Sequence, residues 1–271
     1  MKRLLVVALV VLLFLPSECA AADTSSPELK PVLLKVKKRL DQWLDAINDD
    51  LRTSAERLSR VDFKSDQARA ELKNLLIGRT YIIDAIIMDE KGKSIVIQSS
   101  QNKPFNEKDV FAQENAADVE VTKKPEMSCQ FRTGENLHAI VFEYPIFDDG
   151  TYRGSVSLLV DQEDLLSTII KPIIRDVPCK IWMMQPDGLI VYTEYTELLN
   201  RNIFSAEELK SMKGLLGFAK TAAARENGVG SYEDLESLIG GDSKQVVRKH
   251  ALWDTVELYG TKWRVCVVKE D

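Results

Sequence analysis

The sequence predicts an α+β fold in which a long N-terminal helix is followed by two similar modules, each a roughly five-stranded antiparallel sheet with flanking helices. Three observations predict it. An apolar stripe runs through residues 28–60, and Asp149-Gly150 separates two β-rich runs near the middle of the chain. A similar pair of runs flanks Tyr259-Gly260 near the C-terminus, so one order of elements occurs twice.

The first 22 residues have the pattern of a secretory signal. Lys2-Arg3 precede the apolar run 4–15, and small residues around Ala20 and Ala22 follow it. The apolar run is shorter than the ~20 residues that a membrane-spanning helix needs. We therefore expect residues 1–22 to be cleaved after export, which gives a periplasmic or secreted protein. A lipid anchor at Cys19 is the less favoured alternative, because a charge precedes it.

Composition and motifs exclude several functions. The chain carries 36 basic and 42 acidic side chains, a net charge of −6, and no basic run interleaved with aromatic residues, so no nucleic-acid partner is expected. Two histidines and no CxxC pair offer no metal site and no cofactor. The chain has no nucleophile elbow, Walker loop or HExxH motif, so the sequence predicts a protein that is not an enzyme.

The three cysteines beyond the signal leave two alternatives. Cys179 and Cys266 lie on the first and last predicted strands of the second module, where they could form a disulfide. The favoured interpretation is that both, with Cys129, are separate small residues of the core.

The stripe in residues 28–60 predicts one helix on the order of 50 Å long. A module of ~100 residues has a radius of gyration of only ~13 Å, so this helix is longer than one module is wide. Either it runs alongside both modules as a spine, or it pairs with its copy in a homodimer.

The first module is predicted to cover residues 61–163. A helix over 65–77 leads to a strand over 82–88, and DEKG at 89–92 turns it into a second strand. Residues 100–118 are polar and irregular, with a short helix candidate at 107–115. Extended structure is predicted again over 119–129, followed by the hairpin around Asp149-Gly150.

A connector helix is predicted over 164–178, ended by Pro172 and Pro178. The second module, 179–271, repeats the order of the first: a hairpin, a helical middle over 205–225 that Gly214 and Gly217 break, and a terminal hairpin. Because no Gly/Ser-rich tether joins the modules, we expect their orientation to be fixed.

This order of elements resembles the double-Cache (PAS-like) extracytoplasmic sensor domain of chemoreceptors and sensor kinases. The resemblance covers nearly all of residues 28–268, and it rests on the DEKG hairpin and on YPIFDDGTYRGSVSLLVDQEDLL, QPDGLIVYT and WDTVELYGTKWRV in this order. It implies that the first module, of the membrane-distal type, holds a small ligand between its sheet and its loops. The second module, of the membrane-proximal type, then relays the signal.

The chain departs from the family members that bind amino acids. Those members carry Arg-x-Trp-Tyr before the third strand, an acidic residue later on it, and an Asp just after the fifth strand. Asp161 matches the last position, but residues 100–120 contain no Arg, Trp or Tyr, and Met127 and Cys129 stand where the strand carboxylate would lie. We therefore expect an organic ligand of another kind, whose identity stays open.

Six residues are candidates for ligand binding. Asp161 either holds a cationic group or caps the connector helix, and Arg132 either clamps a carboxylate or is solvated. Phe131 and Tyr144 either line a cavity or pack in the core. The candidates are Asp161, Arg132, Phe131, Met127, Cys129 and Tyr144.

The sequence thus predicts an exported small-molecule sensor for signal transduction or chemotaxis. No kinase, methyl-accepting or cyclase sequence follows the second module, so we expect signalling by contact with a membrane receptor or histidine kinase. The alternative is an interaction protein that binds no ligand and docks to a receptor or to itself through the helix at 28–60.

Overall fold

The computed structural model describes residues 27–100, 118–134, 136–235 and 246–271. The predicted signal peptide and the short helix predicted at 107–115 lie outside these residues. The helices are α1 (Leu29–Leu58), α2 (Asp66–Leu76), α3 (Val119–Thr122), α4 (Gln162–Ile174) and α5 (Lys213–Ala224). Single 3₁₀ turns lie at Thr196–Leu198 and Glu207–Leu209.

Two antiparallel sheets follow α1, as the predicted fold class requires. The strands of the distal sheet are β1 (Ile82–Asp89), β2 (Ser94–Ser99), β3 (Glu126–Met127), β4 (Phe131–Arg132), β5 (His138–Asp148) and β6 (Thr151–Asp161). Those of the proximal sheet are β7 (Lys180–Met184), β8 (Ile190–Thr193), β9 (Gly228–Leu235), β10 (Val246–Leu258) and β11 (Thr261–Glu270).

The two sheets share one strand order. The distal order is β2-β1-β6-β5-β3, with β4 also on β5, and the proximal order is β8-β7-β11-β10-β9. In each module the first strand of the opening hairpin pairs with the last strand of the closing hairpin. The extended run predicted over 119–129 divides into α3 and β3, and the distal sheet has six strands rather than about five because β4 pairs with β5 as well.

Each sheet has two unlike faces. Phe142 on β5 lies 5.4 Å from Trp43 of α1, measured between ring centroids, and we call this side the helix face. The next residue, Glu143, points to the opposite side, which we call the loop face. In the proximal sheet Trp263 packs in the same cluster as the α1 residues, and Trp253 points to the loop face.

Helix α1 lies along the helix faces of both sheets, as the spine alternative describes. Its apolar stripe is buried along its whole length: Leu29, Leu33, Val36, Leu40, Leu44, Ile47, Leu51, Ala55 and Leu58. Trp43 Nε1 donates a 2.9 Å hydrogen bond to Tyr81 Oη in the distal module. Lys37 Nζ donates to the carbonyl of Thr255 in the proximal module. One helix therefore packs against and is hydrogen-bonded to both modules.

Helix α4 connects the modules and starts earlier than predicted. Asp161 is its N-cap, and Asp161 Oδ1 accepts a 3.0 Å hydrogen bond from Asp164 N. The prediction that Pro172 ends this helix is wrong, because the helix runs through Pro172 to Ile174. A proline in the last turn removes a single backbone hydrogen bond, and a helix that ends two residues later tolerates this loss.

Gly214 and Gly217 lie inside α5 and do not break it, contrary to the prediction. A Cβ added at Gly214 would lie 2.1 Å from the carbonyl oxygen of Glu233 on β9. Glycine at this position therefore lets the helix lie directly against the edge strand, and this contact offsets its low helix propensity.

The three cysteines are free thiols. Cys179 belongs to the cluster on the helix face of the proximal sheet, whereas Cys266 lies opposite Trp182 on the loop face. The sheet separates the two sulfur atoms, so the disulfide alternative is excluded and the favoured interpretation is confirmed for this pair. Cys129, predicted to be a core residue, is exposed.

Shortening the spine's buried side chains should weaken the whole fold. Leu44 is 2% exposed, so Leu44→Ala should lower the free energy of unfolding by about 2–5 kcal/mol. Leu34 lies on the same helix and is 52% exposed, which makes Leu34→Ala the matched control, with a change near zero. Urea unfolding followed by circular dichroism measures both. Equal losses in the two variants would show that burial against the sheets does not stabilise α1.

Candidate functional site

The loop face of the distal sheet buries two carboxyl groups. Asp84 on β1 is 1% exposed and Glu143 on β5 is 3% exposed. Strand β6 lies between them and contributes the buried hydroxyls of Ser155 and Ser157. Acidic side chains are rarely buried in a protein core. Two of them on one face therefore make this polar patch an unusual feature of the distal module.

Glu143 is held in an acidic environment. Burial is the largest cause that raises the pKa of Glu143, and with the nearby carboxylates of Glu120, Glu126 and Asp118 it brings the pKa to about 8. The Ser155 hydroxyl donates a hydrogen bond to Glu143 Oε1, which acts in the opposite direction. The Glu143 carboxyl group is therefore largely protonated at neutral pH unless a cation lies beside it.

Asp84 is the second buried carboxyl group. Asp84 lies opposite Ser99 on β2, and the Ser99 hydroxyl donates a hydrogen bond to Asp84 Oδ1. Two strand spacings and a two-residue offset place Asp84 roughly 12 Å from Glu143. A small organic molecule on this face could reach both groups.

The short helix α3 covers one edge of the patch. Glu126 Oε2 accepts a 2.8 Å hydrogen bond from Asp118 N, and Glu126 Oε1 accepts a 2.7 Å bond from Thr122 Oγ1. These bonds fold residues 118–122 into a helical turn, where the sequence predicted extended structure. At the same edge, Lys123 Nζ lies 3.5 Å from the centroid of the Tyr152 ring, so a cation already stacks on this side.

Two of the six predicted ligand residues lie on the loop face. Asp161 and Phe131 both pair with Ala139, at the end of the sheet away from the β5–β6 turn. Phe131 packs there with Val141 and Leu159. Asp161 caps α4, as one of its two alternatives stated, and a ligand contact of Asp161 stays a prediction.

The other four predicted residues do not converge with these two. Met127 pairs with Phe142 and faces the helices, as does Tyr144, which pairs with Val156. Cys129 is exposed between β3 and β4, and Arg132 is exposed at the end of β4.

The sequence reasoning missed Asp84 and Glu143. Each is a single acidic residue inside an otherwise apolar strand, in IIDAIIM and in AIVFEYPIF. A lone charge in an otherwise apolar strand is the signal that would have found them.

The segment between β3 and β4 ties the modules together. The Gln130 backbone N–H donates a 3.2 Å hydrogen bond to Gln185 Oε1, and Gln130 Nε2 donates a 2.5 Å bond to Asn200 Oδ1. Gln130 Nε2 also lies 2.8 Å from His138 Nδ1. Burial lowers the pKa of His138, and the Arg132 charge acts in the same direction. The polar contacts of Gln130 thus join β5 to the loops of the proximal module.

Comparison with known proteins agrees with the predicted fold. Residues 42–162 match the family model described as "HK/GC/Chemotaxis protein-like, sensor domain". No curated protein matches the chain in sequence. Within the ranges that the structure describes, no helix has the length and apolar character needed to cross a membrane.

Solved structures of receptor domains share the fold. An extracellular ligand-binding receptor from Desulfohalobium retbaense matches with a TM-score of 0.74 and 24% identity, over 90% of this chain and 41% of that one. The ligand-binding domain of the Pseudomonas aeruginosa amino acid chemoreceptor PctB, in complex with L-Gln, matches with a TM-score of 0.60 and 12% identity, over 90% of each chain.

A third match is the ligand-binding domain of the Campylobacter jejuni chemoreceptor Tlp3 in complex with L-norvaline. Its TM-score is 0.59 at 12% identity, over 90% of this chain and 89% of that one. The resemblance to double-Cache sensor domains is thereby confirmed, and the chain is similar to the sensor domains of chemoreceptors and histidine kinases.

The buried Glu143 should make stability depend on pH. Its pKa rises from 4.5 in the unfolded chain to about 8 in the folded one. The contribution of Glu143 to the free energy of unfolding is therefore fully present below pH 4.5 and is lost as the pH rises through about 8. Above that pH, the free energy of unfolding no longer changes through Glu143. A pKa shift of this direction and size lowers the free energy of unfolding by on the order of a few kcal/mol between these two pH values.

Urea unfolding between pH 5 and 9 tests this dependence. Glu143→Gln should be more stable than the wild type above neutral pH, and its advantage should shrink toward pH 5. Glu90→Gln, in the exposed β1–β2 turn, is the control and should follow the wild type. Parallel curves for Glu143→Gln and the wild type would contradict the assignment.

Proposed function

We propose that this chain is an exported, non-enzymatic sensor that binds a small organic ligand on the loop face of its distal module. The bound state is passed by contact to a membrane receptor or a histidine kinase. The single observation that supports this function best is the buried Glu143 carboxyl group, on the face where the double-Cache resemblance expects a ligand.

The chemistry of the patch favours a ligand with a cationic amino group. The buried Glu143 carboxyl group needs a proton or an opposite charge, and an ammonium group supplies that charge together with up to three hydrogen-bond donors. The PctB and Tlp3 domains were solved with L-Gln and L-norvaline, both of which carry an amino group. This chain lacks the Arg-x-Trp-Tyr stretch of amino-acid receptors, so the ligand we propose is an amine without an obligatory carboxylate.

A route for the signal follows from the contacts of α4. The helix starts at Asp161 on the loop face and packs against α1, β5 and β8. A ligand that touches Asp161 would bias the position of α4. Because α4 contacts the spine and the proximal sheet together, a small shift at its first turn reaches both.

A thermal-shift screen against amines, amino acids and carboxylates tests the proposal. An amine present at 100 times its dissociation constant should stabilise the wild type by ~2.7 kcal/mol. Glu143→Gln should remove most of this stabilisation, because it deletes the charge that the ammonium group neutralises. Glu90→Gln is the control variant and should respond as the wild type does.

The Asp161→Ala variant tests independently whether Asp161 contacts the ligand. It should lower the stability of the free protein by about 1 kcal/mol through loss of the helix cap. A further loss that appears only with ligand present would assign Asp161 to the site. Stabilisation by carboxylates alone, or undiminished amine stabilisation in Glu143→Gln, contradicts the proposal. If no compound stabilises the wild type, the interaction protein that docks through α1 becomes the better description.

A further inference from the structure

A buried polar cluster at the junction of the two modules is centred on Gln130. Gln130 is 8% exposed, and Gln130 Nε2 donates a 2.5 Å hydrogen bond to Asn200 Oδ1 of the proximal module. The same nitrogen lies 2.8 Å from Nδ1 of His138 in the distal module. An amide nitrogen only donates, so the His138 Nδ1 atom is the acceptor of this second bond. The His138 ring in the cluster is therefore neutral, with its proton on Nε2.

The partners of Gln130 are held by regular structure in both modules. His138 is the first residue of β5. In the proximal module, the Asn200 N–H donates a 2.9 Å hydrogen bond to the carbonyl of Ile190 on β8. The Gln130 N–H donates to Oε1 of Gln185, which is 2% exposed and directly follows β7. The contacts of Gln130 thus fasten the start of β5 to the proximal module, and we call them the Gln130 clamp.

A proton on His138 conflicts with the clamp. A charged imidazole ring donates from both nitrogens, so its Nδ1–H would point at an N–H of Gln130. Gln130 Oε1 has no hydrogen-bond partner among the described residues, so the amide can turn and offer this oxygen to the ring. The turned amide also directs the oxygen at Asn200 Oδ1, and two acceptors cannot bond. Protonation therefore favours a bond within the distal module at the expense of the bond between the modules.

The charges around His138 set the pH at which this happens. Burial is the largest cause that lowers the pKa of His138, and the charge of Arg132, its partner across β4 and β5, acts in the same direction. Asp161, at the end of β6, raises this pKa, but the net direction is downward. The proximal module contributes the neutral amides of Asn200 and Gln185. The ring is therefore neutral at pH 7 and takes up its proton below pH 6.5.

His250, the other histidine of the chain, has a different environment. His250 Nε2 lies 3.0 Å from Asp271 Oδ1, and both residues belong to the proximal module. A proton on His250 adds an attraction to this carboxylate and breaks no contact between the modules. Of the two histidines, His138 is thus the one whose protonation opposes a bond across the junction, and His250 provides a matched control.

We propose that His138 is a pH switch at the module junction: its neutral ring closes the Gln130 clamp, and its protonation in mild acid opens the clamp. The folded state binds this proton less tightly than the unfolded chain does, so the stability contributed by the closed clamp is present above pH 6.5 and is lost as the pH falls below it. Acidity outside the cell then changes the contact between the modules of the exported protein. The switch does not depend on the ligand of the distal module.

Hydrogen exchange of the whole chain, measured by mass spectrometry at pH 5 and pH 7.5 and normalised to the intrinsic exchange rate at each pH, tests the switch. In the wild type, segments 127–132 and 196–203 should exchange at least threefold faster at pH 5. His138→Gln keeps a neutral side chain whose oxygen can accept from Gln130, so its exchange should not change between the two pH values. His250→Gln is the control and should respond as the wild type does.

His138→Lys supplies a test in the opposite direction. It carries a positive charge at both pH values, so the two segments should exchange rapidly at both. The midpoint of the wild-type change should equal the pKa of His138, measured by NMR on ¹³C-histidine-labelled protein and assigned with His250→Gln. Thermal unfolding shows which variants are folded, and His138→Gln decides the question if His138→Lys does not fold.

Four results would overturn the proposal. The first is wild-type exchange that is equal at both pH values, because the Asn200 amide has then turned as well and rebuilt the contact. The second is a pH dependence that persists in folded His138→Gln. The third is slow exchange of folded His138→Lys at pH 7.5, and the fourth is a midpoint that differs from the measured pKa of His138.

Discussion

The structure depends on burial of one helical stripe against two sheets. Helix α1 has 30 residues and is therefore ~45 Å long, which lets a single apolar face cover the helix faces of both modules. Neither sheet could leave its helix face exposed to water, because each helix face carries large apolar side chains, such as Phe142 and Trp263. The helix is thus part of both cores, and its position couples the two modules mechanically.

Because α1 occupies the helix faces, only the loop faces remain for binding. The strand order of the two modules is the same, and in both the loop face is covered by short helices and irregular segments. Such segments can change position at lower cost than a helix packed along its whole length. A ligand on a loop face can therefore reorganise its cover while α1 stays in place on the other side of the sheet.

Most of the fold could be predicted from the sequence because its signals are local. The stripe over 28–60 predicted a helix that spans Leu29–Leu58, and the turns at Asp149-Gly150 and Tyr259-Gly260 predicted both closing hairpins. Helix α3 could not be predicted, since its sequence VEVT favours a strand and the side chain of Glu126 imposes the turn. Most of the polar patch was missed for a related reason: in strands with two buried faces, apolar neighbours on both sides hide the alternation that would show where Glu143 points.

The two loop faces differ in charge although their backbones follow one plan. The distal face buries carboxyl groups, and the proximal face buries Lys249, whose Nζ lies 3.0 Å from Glu270 Oε1. A duplicated scaffold keeps the register that positions these side chains, while single substitutions on the loop face change the charge that each module presents. Helix α4 and the Gln130 contacts join the modules near the end of the sheet where Asp161 stands. Any reorganisation at that end must therefore be accommodated by contacts that both modules share, which is the physical requirement for one module to influence the other.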